Sequence, residues 1–241
     1  VLIAPAYASQ PDREKAGLLG PVKSVRLENA GSGENRSCGI LQESFEYNQR
    51  GNKKAWISYK TDGSPLTRET FEYDSADNLV AVKTYNSANL LQKTRICRYD
   101  ARGNKIEDAL FGAETPTPIR KTVYIYNDMG ILTEERKING SQTEKVVHRV
   151  DVNGGKLEDV YFDSTGKPVR KRVYTHDKGN LTQAILSTSD GTVAEKREIV
   201  PEPNGGKRER IFAIHESVIY KVRESVYDKN GNLTGKTFYS A

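Results

Sequence analysis

From Tyr47 onward, apolar and polar positions alternate in short runs, and clusters of Asp, Asn and Gly break the runs at regular intervals. Alternation at period two marks a strand with one buried face. The clusters share one form: an aromatic residue, Asp or Asn, two free positions, Gly, Asn, then Leu or Lys. Tyr47-Asn48-Gln49-Arg50-Gly51-Asn52-Lys53 is the first copy and Tyr73-Asp74-Ser75-Ala76-Asp77-Asn78-Leu79 the second. Tyr99-Asp100-Ala101-Arg102-Gly103-Asn104-Lys105 follows, then copies beginning at Tyr126, Val150, Thr175, Val200 and Tyr227. The copy at Thr175 is weak, and the one at Val200 carries an extra residue and two prolines. A second punctuation, at Tyr59, Tyr85, Phe111, Ile138, Phe162 and Tyr239, falls midway between most copies. Each unit therefore reads as strand, turn, strand, turn, with a period of about 25 residues and strands of about six to eight.

Turn chemistry accounts for the consensus. Asp or Asn after the aromatic accepts hydrogen bonds from backbone two residues on. Gly, or Asp77 in one copy, occupies the position that needs a positive φ. Ahead of the repeats, Asp12–Leu19 suits one helical turn, Pro21–Leu27 a first strand and Ile40–Tyr47 a second, with a loop over Ala30–Asn35 between them. Stacking the units gives an inward column of Phe45, Phe71, Cys97, Tyr124, His148 and Val173, two residues before the anchors. One face is expected to be aromatic and the other charged in the early units, with Ile125 and Tyr174 as exceptions. The expected fold is all-β: tandem β-hairpin repeats in one curved antiparallel meander sheet, a single layer, open or partly closed. Native twist supplies the curvature.

Composition supports a thin layer. Only 36% of the 241 residues are hydrophobic, and 29% are charged, so a thick two-layer sandwich lacks core material. The formal charge of +5 is a mild excess on a mixed surface; it permits peripheral contact with an anionic surface. The basic clusters Arg120-Lys121, Arg170-Lys171-Arg172 and Lys207-Arg208 are short and lack interleaved stacking aromatics, which argues against nucleic acid. Val1–Ala8 is apolar and ends in Ala6-Tyr7-Ala8, a small-x-small pattern of the kind a signal peptidase reads. The expected organisation is a signal-peptide remnant over 1–8, a lead-in over 9–20, and one β-repeat domain of about eight two-stranded units over 21–241. No apolar run is long enough for a spanning helix. Export to the periplasm or exterior is the expectation. Cys38 and Cys97 lie roughly two units apart, which in an extended array favours two unpaired thiols over a disulfide.

The Tyr-Asp-x-x-Gly-Asn pattern at Tyr99–Asn104 and Tyr227–Leu233, with Tyr73-Asp74, resembles the tyrosine–aspartate repeats of bacterial Rhs-type surface and toxin proteins. Gly20–Val25 resembles the start of small exported bacterial repeat proteins. The resemblance covers roughly residues 20–241 and implies a β-hairpin array. In Rhs proteins such repeats build a shell around a toxin segment; here the period is longer and the units fewer.

Candidate chemistry is sparse. His148, His176 and His215 have no second ligand at metal spacing, and His148 falls in the inward column, where a packed ring is expected. No nucleophile elbow, phosphate loop or dinucleotide fingerprint appears, and no cofactor or metal is implied. The Asp-rich turns offer too few carboxylates each for a calcium loop. Trp56, Tyr59, Tyr73 and Tyr85 form a candidate binding surface suited to stacking a sugar, with core packing as the alternative. The leading function is therefore non-catalytic: an exported repeat protein whose β surface binds a protein or glycan of the cell envelope, or serves a structural role there. One alternative is a hydrolase or lyase acting on glycan or cell wall, using surface carboxylates such as Glu134-Glu135 and tyrosines. A second is a fragment of a toxin-encapsulating shell. Function is expected where the repeat breaks, at 112–118, 138–142 and 201–206.

Overall fold

The computed structural model describes residues 11–18, 20–29, 40–215 and 218–239. The expected leader, the 30–35 loop and Cys38 lie outside the described residues. The fold is all-β, with seventeen strands running as an antiparallel meander. Contacts divide the chain into two compact units, Val1–Val123 and Tyr124–Ala241.

The first unit opens on a four-residue helix, α1 (Asp12–Lys15), the one turn expected over Asp12–Leu19. Its strands are β1 (Ser24–Asn29), β2 (Ile40–Tyr47), β3 (Lys53–Tyr59), β4 (Pro65–Tyr73), β5 (Leu79–Tyr85), β6 (Leu91–Tyr99), β7 (Lys105–Gly112) and β8 (Arg120–Tyr126), the last crossing the boundary. The second unit holds β9 (Leu132–Asn139), β10 (Gln142–Val150), β11 (Lys156–Phe162), β12 (Pro168–Asp177), β13 (Asn180–Thr188), β14 (Val193–Pro201), β15 (Lys207–His215), β16 (Val218–Tyr227) and β17 (Leu233–Phe238). Within each unit every strand pairs with its sequence neighbour, and neither ladder closes on itself.

Turns set the register. At Asp100 the backbone N–H donates to Asn104 O at 2.9 Å, and Gly103 N–H donates to Asp100 O at 3.0 Å. This is a three-residue hairpin: a type I turn followed by one residue in the left-handed region. Gly103 has φ 81°, and Asp77 and Asn89 take the same position at 63° and 58°. The same backbone pair recurs at Asn48, Lys60, Asp74, Asn86, Asn127, Asp151, Asp163, Thr188, Glu202 and Asp228. The extra residue leaves a bulge, so the ladder shifts register just before the aromatic at Tyr47, Tyr59, Tyr73, Tyr85 and Tyr99.

Because both ends of the sheet use this turn, the aromatic expectation needs correction. Upward and downward strands are related by a half-turn about the direction in which strands succeed one another. That rotation exchanges the faces. Tyr47, Tyr73 and Tyr99 therefore lie on one face, whereas Tyr59, Tyr85 and Phe111 lie on the other. Neither face is purely charged.

The weak copies also change phase. Asp177 pairs directly with Asn180 across a two-residue turn, Lys178 and Gly179, both at positive φ. The anchor is thus His176, not Thr175. Tyr174, not Val173, stands in the inward column, while Val173 faces the opposite side opposite Glu158 and Ile185. Likewise the turn before β15 starts at Glu202, whose N–H donates to Gly206 O at 2.9 Å. Its anchor is Pro201, and the copy is of regular length.

The core is a thread rather than a slab. Tyr47, Cys97, Ala109 and Ala184 are buried, with the polar Asn52, His148, Asp159, Glu209 and Ser225. No described side chain is both large and wholly enclosed. Stability must come from neighbouring strands, so local faults should be costly to their own unit. Gly206 tests this. A Cβ there would press on the Tyr227 carbonyl oxygen, a backbone atom that cannot rotate away. Gly206→Ala is expected to cost ~1–3 kcal/mol in urea unfolding. Gly166→Ala, at φ 82° but facing open space, should cost about 1 kcal/mol through backbone strain alone.

Candidate functional site

The sequence-selected quartet does not form one surface. Trp56 stands opposite Phe45 and Glu69, on the face that also carries Tyr73. Tyr59 lies on the other face, 3.0 Å from Ser44 Oγ through its hydroxyl. Tyr85 lies there too, with the Arg68 guanidinium 4.1 Å from its ring centre. All four are half-buried. The pairs Trp56/Tyr73 and Tyr59/Tyr85 cannot meet one sugar, because the sheet lies between them.

A row of buried and half-buried acids, opposite the inward column, was not anticipated. Lys105-Ile106-Glu107-Asp108-Ala109-Leu110-Phe111 and Lys156-Leu157-Glu158-Asp159-Val160-Tyr161-Phe162 are near-copies. In both, Asp stands directly opposite the column residue: Asp108 opposite Cys97, Asp159 opposite His148. In both, the lysine three residues earlier reaches back, Lys105 at 3.5 Å and Lys156 at 3.2 Å. Arg95 grips Asp108 through Nε at 2.8 Å and through Nη2. That hydrogen bond, more than offsetting burial, holds the Asp108 carboxyl below its ordinary range. Burial pushes the free thiol of Cys97 up, away from thiolate reactivity.

At Asp159 the partners are different. His148 Nδ1 is 2.6 Å from Asp159 Oδ1, and the Tyr174 hydroxyl donates to Oδ2 at 2.6 Å. Asp159 is 2% exposed and His148 7%. Glu135 Oε1 lies 3.5 Å from His148 Nε2, which is buried without a hydrogen bond. Burial raises the Asp159 carboxyl, but the bonds from His148, Tyr174 and Lys156 together bring it below the ordinary value. Burial, then the Asp159 bond, pushes Tyr174 well up. Two carboxylates thus converge on an imidazole, Asp159 enclosed and Glu135 partly open to solvent. His148 keeps its expected place in the column; its polar partners were not foreseen. Glu134 faces the other way and pairs with Arg136.

Glu209 is the third acid of the row, buried like Asp159. It lies 2.9 Å from Arg197 Nη2 and 3.2 Å from Arg223 Nη2, bridging β14 and β16. On the opposite face Glu224 joins Arg208, Arg210 and Lys221, at 2.8, 3.1 and 2.8 Å. The bonds from Lys221 and Arg210 lead in lowering its carboxyl to about 2.

The turn carboxylates are spent locally. Asp100 Oδ1 accepts from Arg102 N–H at 2.9 Å and Asn104 N–H at 2.8 Å, and Oδ2 accepts from Asn104 Nδ2 at 3.0 Å. These bonds, the Asn104 side chain's first, hold it below its usual range. Asp74 and Asp228 repeat the pattern.

Open space lies instead at the hairpin ends of the first unit. A cavity of 620 Å³ is lined by Arg13, Val22, Tyr47 and Lys54, and one of 380 Å³ by Asp12, Lys53, Tyr73 and Tyr99. A third, of 470 Å³, sits between the turns at Asp74 and Asp100.

No family model matches the chain, and no curated protein matches it. Solved structures similar to it include the Photorhabdus luminescens Tc holotoxin pore carrying a TccC3-D651A mutation. That likeness has a TM-score of 0.36 and 11% identity over 88% of this chain. A porin-like protein from Bacteroides uniformis gives 0.30 and 10% over 91%, covering 97% of that protein. A TcdB2-TccC3 structure gives 0.21 and 10% over 87% of this chain. The chain spans 16% of the matched holotoxin chain and 19% of the TcdB2-TccC3 chain.

Among the described residues no helix is long and apolar enough to cross a membrane. The repeat breaks singled out in the sequence are connections between strands. Asn139 and Gln142 flank a two-residue turn, Pro201–Gly206 is a regular one, and the loop after Gly112 is pinned by Thr115 Oγ1 on Gly112 N–H at 3.1 Å. Exposed apolar area gathers at the end of the second unit. Val218, Ile219, Tyr220, Val222, Leu233, Phe238 and Tyr239 are all exposed, Phe238 by 69%.

Proposed function

We propose that this chain is a non-catalytic, exported β-repeat protein that binds a protein partner of the bacterial cell envelope through its sheet edge. The observation that carries the reading is the end of the second unit. There β17 pairs with β16 from Arg223↔Phe238 to Tyr227↔Leu233 and has no second strand partner among the described residues. An open edge with exposed Leu233, Phe238 and Tyr239 beside it suits addition of a partner's strand. An isolated protein gains nothing from leaving such a row open, because it invites self-association. The internal engagement of the His148, Asp159 and Glu209 side chains favours a scaffold over a catalyst. Export rests on the Ala6-Tyr7-Ala8 pattern.

A photo-crosslinking residue at position 238, compared with one at Lys171 in the middle of β12, tests the reading in the producing cell. The expected result is a discrete adduct from 238 and none from 171. Equal labelling at both positions would count against an edge site. Release of reducing ends from purified peptidoglycan or polysaccharide by the protein would overturn the non-catalytic reading.

A further inference from the structure

One segment of this chain already behaves as a bound ligand. Asp12 Oδ2 accepts from Lys53 N–H at 3.0 Å and lies 3.0 Å from the Tyr73 hydroxyl, whose proton it shares with Lys53 O at 2.9 Å. Beside it Arg13 N–H donates to Gly51 O at 2.9 Å. The lead-in is thus held by three groups of one repeat: the turn carbonyl of Gly51, the first N–H of β3, and the hydroxyl of the next anchor tyrosine.

The ladder explains why these groups are accessible. Pairing between β3 and β4 begins only at Ala55↔Thr70, two residues inside the start of β3. Successive hairpins therefore splay at their turn ends, and the anchor tyrosine caps the carbonyl left in the gap. One repeat on, pairing between β5 and β6 begins at Ala81↔Ile96, again two residues inside the start of β5. Tyr99 donates to Leu79 O at 3.0 Å, as Tyr73 does to Lys53 O. Asp77 takes the place of Gly51, and its carboxylate is turned back onto Arg50 and Asn52 at 3.0 Å each. Open volume of 380 Å³ adjoins this second gap, with Lys15 and Lys53 on its wall. Burial raises the Tyr99 hydroxyl to about 12, so it is a protonated donor at neutral pH.

We propose that Asp77, Leu79 and Tyr99 form a second docking position of the same chemistry, which takes an aspartate-bearing peptide segment of a partner protein. The partner's aspartate accepts from Leu79 N–H and the Tyr99 hydroxyl, and its next backbone N–H donates to the Asp77 carbonyl. A peptide is required rather than a free anion, because the Arg13-to-Gly51 bond uses a backbone N–H. Lys15 and Lys53 on the wall are matched by Asp12 and Asp77, so the incoming aspartate is selected by its hydrogen bonds rather than by net charge. This position goes beyond the β17 edge, and either surface can fail its test without the other.

The probe is a labelled peptide copying residues 11–18, titrated into the full chain and followed by fluorescence anisotropy. Saturable binding is expected. It should weaken at least tenfold in Tyr99→Phe, and equally when the peptide carries Asn for its Asp, while Tyr227→Phe leaves it unchanged. Absence of saturable binding overturns the proposal. So does binding that Tyr99→Phe leaves intact, or binding seen only with the Asp12→Ala chain, which would place the peptide at Lys53 and Tyr73 alone. Should Tyr99→Phe fail to fold, hydrogen exchange decides: slowed exchange of the Leu79 amide under saturating peptide supports the site, and unchanged exchange overturns it.

Discussion

Asp159→Ala should lower the stability of the second unit by about 2–4 kcal/mol, the cost of leaving two hydrogen-bonded groups without their acceptor. The carboxylate bonds His148, Tyr174 and Lys156. Its removal takes the acceptor from Nδ1 of the enclosed imidazole and from the half-buried phenol, and each orphan costs its desolvation. Asp159→Asn retains one acceptor and should lose about half as much. The acid limb of stability provides a second readout. The folded carboxyl lies below the ordinary 3.8. Its contribution is therefore fully present above that value and is lost as pH falls through the lower folded one. Melting temperature measured across the acid range should fall more shallowly in Asp159→Ala than in the native chain below about pH 4. Equal acid slopes would show that Asp159 is not the group whose protonation unfolds this unit.

How much of this was legible in the residues follows from what the repeat encodes. Turn chemistry is local, so Tyr-Asp-x-x-Gly-Asn announced both the hairpins and their bulges. Asp77 at φ 63° confirms that position's demand for a left-handed residue. Strand phase is not local. A two-residue turn at Lys178-Gly179 in place of a three-residue one moved the column from Val173 to Tyr174, and only the pairing with Ala184 reveals it. The split of Trp56 and Tyr73 from Tyr59 and Tyr85 had the same origin: alternation within a strand says nothing about which face the next strand's aromatic takes after a bulge. The row of acids did leave a signal, the near-identity of Lys105–Phe111 and Lys156–Phe162. An aspartate among alternating charges nevertheless reads as surface. What turns Asp108 and Asp159 toward the column is the opposing residue, Cys97 or His148, which a single strand does not name. The docking of Asp12 on Lys53 and Tyr73 spans 41 and 61 residues, and no periodicity encodes it.

Glu209 provides the second large effect, and a sharper test of what a buried ion cluster contributes. Glu209→Ala should cost about 3 kcal/mol, toward the lower end of the range for a broken buried pair, because roughly a third of each arginine side chain reaches solvent. The loss should appear in urea unfolding of the second unit. It arises less from the attraction removed than from two guanidinium groups left facing each other across Ile211. Arg197 Nε and Arg223 Nε are already buried without partners, so the native arrangement carries part of this penalty. The triple replacement Arg197→Met, Glu209→Leu, Arg223→Met removes all three charges along with the two orphaned nitrogens. Apolar substitutes of similar volume commonly match or exceed such a cluster by ~1–4 kcal/mol. The triple variant is therefore expected to unfold at or above the native urea midpoint, while the single variant falls well below it. If the triple falls as far as the single, the ion cluster contributes net stability. If it holds, the acids of this row serve to fix strand register in a sheet too thin to fix it by apolar packing.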